Sequence, residues 1–265
     1  SHRSNYLHAL TTMHHLRVSD RDTLLHILPM FHVNGWGSPF YYTANGATQV
    51  CLRKVKPEEI FRKIDTYNVS VMHMAPTVLN TLLQYASSNK VTKQDHDIRI
   101  VIAGSAPPPA FVKRVEEELE WEFIQVYGMT EAAPLITTSI IRDTQDDVSK
   151  EEKYRLKAKA GYEFIGAEVR VVNEFGDDVA QDGKEIGEVI VRSNTVMEGY
   201  LNNQEGTDEV IRNGYYHTGD MAIVDAQGNI EIADRKKDII ISGGENISSI
   251  EVESALYDHP GVLEV

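Results

Sequence analysis

The chain has 265 residues, enough for one large domain or two ordinary ones. Its 26 lysine and arginine residues against 40 aspartate and glutamate residues give a net charge of −14. That balance argues against a nucleic-acid-binding surface, which holds phosphates with lysine and arginine.

The cysteine content and the hydropathy of the chain indicate in which cellular compartment we expect it. Cys51 is the one cysteine, so an internal disulfide is excluded and a reducing compartment is favoured. No apolar run approaches the roughly 20 residues of a membrane span, and no signal peptide is recognisable. These features predict a cytoplasmic protein without a transmembrane segment.

The first half of the chain alternates strand and helix patterns. Short apolar runs bounded by turn residues predict strands at residues 23–28, 47–52, 69–74, 98–103 and 122–126. Helical spacing of apolar residues predicts helices at 4–16, from 57 onwards, 76–85 and 110–119. Strands that alternate with helices predict an α/β fold, a mostly parallel sheet covered by helices, over residues 1–141.

The pattern changes after about residue 135. Residues 142–155 are polar and rich in charge, which predicts an exposed loop. Short strands at 168–172, 187–192, 221–224 and 230–233, separated by turn residues, then predict a small β-barrel or sandwich. We expect a β-barrel-like subdomain over 142–236. A strand at 239–242 and a helix at 249–257, stopped by Pro260, predict the beginning of an α+β C-terminal domain over 237–265.

The heptapeptide Gln125-Val-Tyr-Gly-Met-Thr-Glu131 begins in the last residues of the predicted strand 122–126 and continues past its end. In an open α/β sheet, ligands bind outside the carboxyl ends of the strands. Tyr127 can stack on a planar base, Gly128 lets the backbone approach a ligand, and Thr130 supplies a hydroxyl. Glu131 offers the hard oxygen that Mg²⁺ takes near phosphates. The alternative is a strand followed by an ordinary turn.

Two further segments follow strand ends in the same way. Gly104-Ser-Ala-Pro107 can form one wall of a flat slot opposite Tyr127, although glycine and proline there more often mean only a turn. His32 follows the first strand, and a lone histidine is more often packed or solvated than functional. Trp36, close by, is more often a core residue than a pocket wall.

The last third of the chain carries an acid, a base and a glycine pair. Asp220, in His-Thr-Gly-Asp, can accept hydrogen bonds from both hydroxyls of a ribose diol. Arg235 can reach the same ribose, or a phosphate, as a forked donor. The loop Ser242-Gly-Gly-Glu-Asn246 can approach a ligand closely. A turn aspartate, a solvated arginine and an ordinary glycine turn are the alternatives.

The order and spacing of these motifs resemble the adenylate-forming superfamily of acyl-CoA synthetases, peptide-adenylation domains and firefly-type luciferases. The resemblance involves five motifs over essentially the whole chain and is strongest to fatty- and short-chain acyl-CoA ligases. It implies that ATP activates a carboxylic acid, predicted to be a fatty acid, as an acyl-adenylate that is then transferred to CoA. ATP, Mg²⁺ and CoA are therefore the implied cofactors and co-substrates. We expect no nucleic-acid partner, and a homodimer is one candidate assembly.

The resemblance also implies a role for each residue at a matching position. The residues that would contact the nucleotide are Gly104, Ser105, Ala106, Pro107, Tyr127, Gly128, Asp220 and Arg235. Thr130 would contact the α-phosphate, Glu131 would bind Mg²⁺, and His32 would gate the acyl carboxylate. Lys237 falls on the hinge of a rotating C-terminal domain, and Gly243 and Gly244 match a loop of the pantetheine tunnel. The family's glycine before the arginine is Asp234 here, a variation that acyl-CoA ligases often show.

Two elements of the family have no match in these residues. They are the phosphate loop with its lysine, which the resemblance places before Ser1, and a lysine near the end of the C-terminal domain. We therefore expect the chain alone to have little or no ligase activity. An adenylation domain that loads a carrier protein, a luciferase-like oxygenase and a non-catalytic nucleotide-binding module are the alternatives.

Overall fold

The computed structural model describes residues 1–89, 91, 93–104, 107–145, 147–238, 240–242, 245–247, 249–257, 259 and 261–262. Within them the helices are α1 His2–His15, α2 Val33–Trp36, α3 Ser38–Ala44, α4 Pro57–Tyr67, α5 Pro76–Asn89, α6 Pro109–Arg114, α7 Lys150–Ala158, α8 Gln204–Val210 and α9 Ser249–Tyr257. The strands are β1 Thr23–His26, β2 Thr48–Cys51, β3 Val71–Met74, β4 Arg99–Ile102, β5 Glu122–Gly128, β6 Leu135–Thr138, β7 Tyr162–Glu163, β8 Ala167–Val172, β9 Gly187–Ser193, β10 Ile211–Arg212, β11 Tyr215–Val224, β12 Ile230–Arg235, β13 Ile240–Ser242 and β14 Glu245–Ile247.

The first sheet has seven strands in the order β2-β1-β3-β4-β5-β6-β7. The pairings among β1 to β5 are parallel, whereas β6 and β7 are added antiparallel at one edge. The predicted mostly parallel sheet is confirmed. All four residues of β3 are buried, as expected for a strand covered on both faces.

Helices cover both faces of this sheet. On one face α4, α5, α6 and α7 pack on inward side chains of the strands, among them Met72, Met74 and Ile100. On the other face α1 and α3 pack on Leu24 and Val71. Since neighbouring residues of a strand point to opposite faces, Val71 and Met72 contribute to different cores. Both faces bury apolar surface, and this is the main force that holds the sheet together.

The exposed loop predicted at residues 142–155 is wrong, because α7 begins inside it. Ser149 caps this helix by accepting a hydrogen bond from the backbone of Glu152. Tyr154 and Ala158, four residues apart and on one face, are buried in the core beneath the sheet. In α4, helical spacing places Ile60, Ile64 and Tyr67 on one face, but only Ile60 and Ile64 are buried and Tyr67 is 47% exposed.

The later part of the chain forms short strands, as predicted, and these make a second sheet whose pairings are antiparallel. Its order is β10-β11-β9-β8, with β12 also paired to β11. The sheet curls into a half-barrel. It is not a closed barrel, because no pairing among the described strands joins β8 to β12. Its inner side is lined by small and branched side chains such as Val171, Val189 and Ala222.

A short strap joins the two sheets at Gly161, directly before β7. The N–H of Gly161 donates to the carbonyl of Ile230, and the N–H of Ile230 donates back at 2.9 Å. Beside it, Lys159 forms ion pairs with Asp225 at 2.9 Å and Glu231 at 3.3 Å. The hairpin between β11 and β12 is therefore tied to the first sheet by both backbone and charge.

The C-terminal elements agree with the expected strand and helix. β13 pairs antiparallel with β14, and α9 follows and packs on β12. Pro260 lies outside the described residues. The predicted domain limits stay predictions. Within 142–236, helix α7 packs beneath the first sheet and β7 pairs with β6 of that sheet.

A buried histidine predicts how stability depends on pH. His73 is 2% exposed, and its two ring nitrogens lie 3.3 Å from the hydroxyls of Tyr41 and Tyr42. Burial, with smaller effects of His26 and Arg99, lowers the pKa of His73 to about 3. As pH falls, the His73 ring is therefore protonated at a higher pH in the unfolded chain than in the folded one. The free energy of unfolding should consequently fall as pH drops below about 6.5.

The test is urea unfolding between pH 7 and pH 4 of the unaltered chain and of His73→Gln. The substitution removes the titrating ring, so the pH slope should flatten by up to about 1.4 kcal/mol per pH unit. The exposed His2→Gln is the control and should keep the original slope. Equal slopes for all three proteins would contradict the assignment.

Candidate functional site

A pocket of about 210 Å³ lies between the end of the parallel sheet and the half-barrel. One wall comes from the turn after β4 and from β5, and the opposite wall from the paired strands β11 and β12. The residues that line it are Gly104, Gln125, Val126, Tyr127, Gly128, Met129, Ala160, Asp220, Ile232, Asp234 and Arg235. Its position, at the carboxyl ends of β4 and β5, is where α/β sheets bind ligands.

Asp220 is the central charged group of the pocket. Tyr127 donates its hydroxyl to one carboxylate oxygen at 2.6 Å, and Arg235 Nε lies 3.0 Å from the other. The Asp220 side chain is 12% exposed, whereas that of Arg235 is 66% exposed. Burial raises the pKa of Asp220, the contacts with Tyr127 and Arg235 oppose this, and the charges of Glu131 and Glu188 add to it.

A bulge in β11 presents Asp220 to the pocket. Residues 218–220 of β11 lie opposite the single residue Val189 of β9, so the regular pairing is interrupted there. Thr218 partly replaces the lost bonds, since its hydroxyl donates to the Val189 carbonyl and accepts from the Asp220 N–H at 3.0 Å. Across the other edge of β11, Asp220 pairs with Arg235.

Glu131 lies on a short 3-10 turn that directly follows β5. Tyr200 donates its hydroxyl to one carboxylate oxygen at 2.9 Å, and the Met197 N–H donates to the Glu131 carbonyl at 2.7 Å. No described lysine or arginine pairs with this carboxylate. Its charge is near enough to raise the pKa of Asp220. Thr130, its neighbour, is exposed.

Asp234 is a pocket residue whose contacts the sequence did not indicate. It is 4% exposed, accepts from the Arg235 N–H at 2.7 Å, and accepts from the Ser249 N–H at 2.7 Å. Ser249 begins α9, so this carboxylate supplies an acceptor to one of the unpaired N–H groups at the helix start. Asp234 thus joins β12 to the C-terminal helix.

The structure brings some of the predicted site residues together and leaves others apart. Tyr127, Gly128, Asp220, Arg235 and Gly104 line one pocket, and Glu131 is near enough to affect Asp220 electrostatically.

His32 is exposed after β1 and is not among the residues that line the pocket. Pro107 is buried outside it, and Lys237 is exposed in the turn after β12. Ser105, Ala106, Gly243 and Gly244 lie outside the described residues. Trp36 is a core residue, stacked on His73.

Several lining residues were missed from the sequence. Asp234 adjoins Arg235, and that position was a usable signal. Gln125 belongs to the heptapeptide 125–131 but has no role assigned from the sequence, and Ala160 and Ile232 read as ordinary loop and strand residues. Among the described residues there is no group of three or more histidine, cysteine, aspartate or glutamate side chains that could hold a metal ion by itself.

Comparison with known proteins identifies the family. Residues 1–201 match the model described as AMP-binding enzyme, which is most of the chain. The chain belongs to this family. None of its described helices has the length and apolar character needed to cross a membrane.

Curated members of the AMP-binding enzyme family are similar along the whole chain. A peroxisomal benzoate–CoA ligase of Arabidopsis thaliana is 39% identical over 266 residues, covering 100% of this chain and 46% of the ligase. A peroxisomal trans-cinnamate:CoA ligase of Petunia hybrida is 37% identical, with the same coverage. A peroxisomal acetate/butyrate–CoA ligase of Arabidopsis thaliana is also 37% identical. The chain spans about half the length of the curated relatives it matches.

Solved structures show the same arrangement. The O-succinylbenzoate–CoA synthetase of Bacillus subtilis, in complex with ATP and magnesium, superimposes with a TM-score of 0.83 at 28% identity, covering 98% of this chain and 51% of that one. An amide bond synthetase of Marinactinospora thermotolerans gives a TM-score of 0.83 at 25% identity, with the same coverage.

Proposed function

We propose that the pocket binds an adenine nucleotide, and that a protein of the relatives' length containing this chain joins a carboxylic acid to CoA through an acyl-adenylate. The observation that carries the proposal is the buried Asp220 carboxylate, held between Tyr127 and Arg235 at the end of the sheet. Relatives named as acid–CoA ligases support the reaction class.

The nucleotide would be held by groups of three kinds. The Tyr127 ring would pack on adenine, with the backbone at Gly104 close by. Asp220 would accept from the ribose hydroxyls: each of its oxygens has one partner now, and a carboxylate has about four acceptor positions in all. The exposed Arg235 guanidinium would donate to the ribose or to a phosphate.

The reaction has two steps. A carboxylate oxygen of the acid bonds to the α-phosphorus of ATP, and the bond from that phosphorus to the bridging oxygen breaks, so pyrophosphate leaves. The thiol sulfur of CoA then bonds to the acyl carbon and loses its proton, and AMP leaves. Both steps place negative charge on phosphate oxygens, which fixed donors such as Arg235 and Thr130 would stabilise.

Glu131 fits the single carboxylate that a nucleotide-bound Mg²⁺ needs. Such an ion is usually held by one or two carboxylates together with substrate phosphates and water. Glu131 has one neutral hydrogen-bond donor, Tyr200, and no described ion pair. Bound Mg²⁺ would neutralise charge on the phosphate oxygens.

The proposal includes a domain rotation at Lys237. Lys237 is exposed directly beyond β12, where a change of backbone angles would meet little packing. The rotation would bring the loop with Gly243 and Gly244 to the CoA thiol. The role of His32 beside the acyl carboxylate also stays a prediction.

A screen of ATP-dependent pyrophosphate release tests the function. A protein of the relatives' length would be assayed with short, long-chain and aromatic acids, with and without CoA. We expect one acid class to stimulate release and CoA to give acyl-CoA. No stimulation by any acid would contradict the proposal and favour a non-catalytic module.

The same screen also distinguishes acceptors and acid classes. The similarity to an amide bond synthetase makes amines, besides CoA and carrier proteins, worth testing as acceptors. The names of the relatives cover aromatic and short-chain acids, so a fatty acid stays a prediction. The same names place those relatives in peroxisomes, and a cytoplasmic location for this protein stays a prediction. So does the inactivity of the chain alone.

The metal role of Glu131 gives a separate prediction. In a protein of the relatives' length, Glu131→Gln should raise the Mg²⁺ concentration needed for half-maximal adenylation by about tenfold, because a neutral amide binds Mg²⁺ less well than a carboxylate. AMP binding without metal should stay unchanged. Glu174→Gln, at an exposed turn, is the matched control. An unchanged Mg²⁺ requirement would remove Glu131 from the metal site.

A further inference from the structure

We propose that Glu188 is a positioning residue for the ribose contacts, holding Asp220 and Arg235 in register through the residue next to each of them: the backbone N–H of Gly219 and the side chain of Lys236. This inference rests on the proposed nucleotide function. Glu188 lies on β9, next to the bulge that presents Asp220, and does not line the pocket.

The Glu188 carboxylate connects three positions around the proposed ribose contacts. One oxygen accepts from the Gly219 N–H at 3.2 Å. The other lies 3.2 Å from Lys236 Nζ and 3.4 Å from His217 Nδ1. Gly219 directly precedes Asp220, and Lys236 directly follows Arg235. One carboxylate therefore bonds to the immediate neighbour of each proposed ribose ligand.

Both backbone polar groups of Gly219 are hydrogen-bonded. Its N–H donates to Glu188, and its carbonyl accepts from the backbone N–H of Lys236 at 2.8 Å. This is the stretch in which β11 has lost regular pairing with β9, so on the β9 side no ladder hydrogen bond fixes it. Side chains replace those bonds: the Thr218 hydroxyl donates to the Val189 carbonyl, and Glu188 accepts from the Gly219 N–H.

Burial and the charged partners of Glu188 act on its pKa in opposite directions. The Glu188 side chain is 13% exposed, so burial by itself would raise its pKa. The hydrogen bond and charge of Lys236, with a contribution from His217, instead bring the pKa of Glu188 below its ordinary value. The carboxylate is therefore ionised at neutral pH and bound to partners on β11 and to the residue directly after β12.

The contacts of Lys236 also concern the proposed hinge at Lys237. Both Lys236 and Lys237 are exposed, but Lys236 is bonded to the half-barrel through its side chain and its backbone, whereas the described hydrogen bonds include none of Lys237. Glu188 would thus mark the end of the part that stays still during a domain rotation and leave Lys237 as the first residue free to turn.

The test compares AMP with 2′,3′-dideoxy-AMP, which lacks the ribose hydroxyls. Dissociation constants would be measured for this chain and for Glu188→Ala. We expect the substitution to weaken AMP binding by about tenfold and to leave dideoxy-AMP binding within about twofold, since only the diol contacts are misplaced. Glu188→Gln, which keeps an acceptor for the Gly219 N–H, should recover part of the loss.

Two further measurements separate positioning from a general loss of structure. Hydrogen exchange at the amides of Gly219 and Lys236 should accelerate in Glu188→Ala, because both lose a fixed neighbour. Glu168→Ala on β8 is the matched control: that carboxylate pairs with Arg192 and Tyr215, away from the pocket, and should change neither ligand's affinity.

The outcomes also distinguish this inference from the proposed function. If the unaltered chain fails to prefer AMP over dideoxy-AMP, the ribose contacts themselves are wrong and the inference falls with them. If it does prefer AMP and Glu188→Ala keeps the full preference, only the positioning role is overturned. An equal loss for both ligands would likewise overturn it.

Discussion

Replacing Asp220 by alanine should weaken AMP binding by about 100-fold. Asp220 would accept both ribose hydroxyls, and a hydrogen bond to a charged group contributes about 1.5 kcal/mol or more. Two such bonds amount to about 3 kcal/mol, which corresponds to a factor on the order of 100 in the dissociation constant. The buried position strengthens the expectation, since the side chain is only 12% exposed.

Isothermal titration or equilibrium dialysis with AMP would measure this loss. Asp220→Asn, which keeps an acceptor for the Tyr127 hydroxyl, should lose less than Asp220→Ala. The matched control is Asp178→Ala: Asp178 also pairs with an arginine, Arg170, at 2.7 Å, but it lies outside this pocket. Equal affinity of Asp220→Ala and the control for AMP would refute the ribose contact.

The second large effect is expected on stability, from Gly161→Ala. Gly161 has a φ of +86°, and a Cβ there would lie 2.6 Å from the Cα of Ser139 and closer still to the Thr138 carbonyl oxygen. These are backbone atoms of the first sheet, so they cannot rotate away. Because Gly161 also pairs with Ile230, relief of the overlap would separate the two sheets. We expect a loss of at least about 3 kcal/mol in the free energy of unfolding.

Gly214→Ala isolates the steric part of that effect. Gly214 has a similar φ of +81°, but a Cβ there meets nothing within 4 Å. Its substitution should cost only the strain of the left-handed backbone, about 1 kcal/mol. Urea unfolding of both variants gives the difference. If the two losses were equal, the strap at Gly161 would not depend on close backbone contact.

Sequence patterns of apolar residues predicted helices and strands correctly where the buried residues follow a regular spacing. The parallel strands were recognisable as apolar runs because both of their faces are covered, as β3 shows. Helix α7 was missed because charged residues dominate it, and only Tyr154, Leu156 and Ala158 are buried. The capping pair Ser149 and Glu152 was present in the sequence and could have identified its start.

Individual site residues could be predicted by type, but their contacts could not. Asp220 was recognised as a candidate ribose acceptor, yet its partner Tyr127 is 93 positions away in the chain. Glu188 had no sequence signal, since a glutamate beside a glycine in a strand is unremarkable. His32 matches the family by position, but the described pocket does not include it.

The sequence alone determined the alternation of strands and helices, the later change to short strands separated by turns, and the family resemblance of its motifs. These are local properties, set by side-chain periodicity and turn chemistry over a few residues. Only the tertiary structure decided that Tyr127, Asp220 and Arg235 share one pocket and that Glu188 supports it. Those contacts depend on the strap at Gly161 and the bulge in β11, where packing between distant segments outweighs local preference.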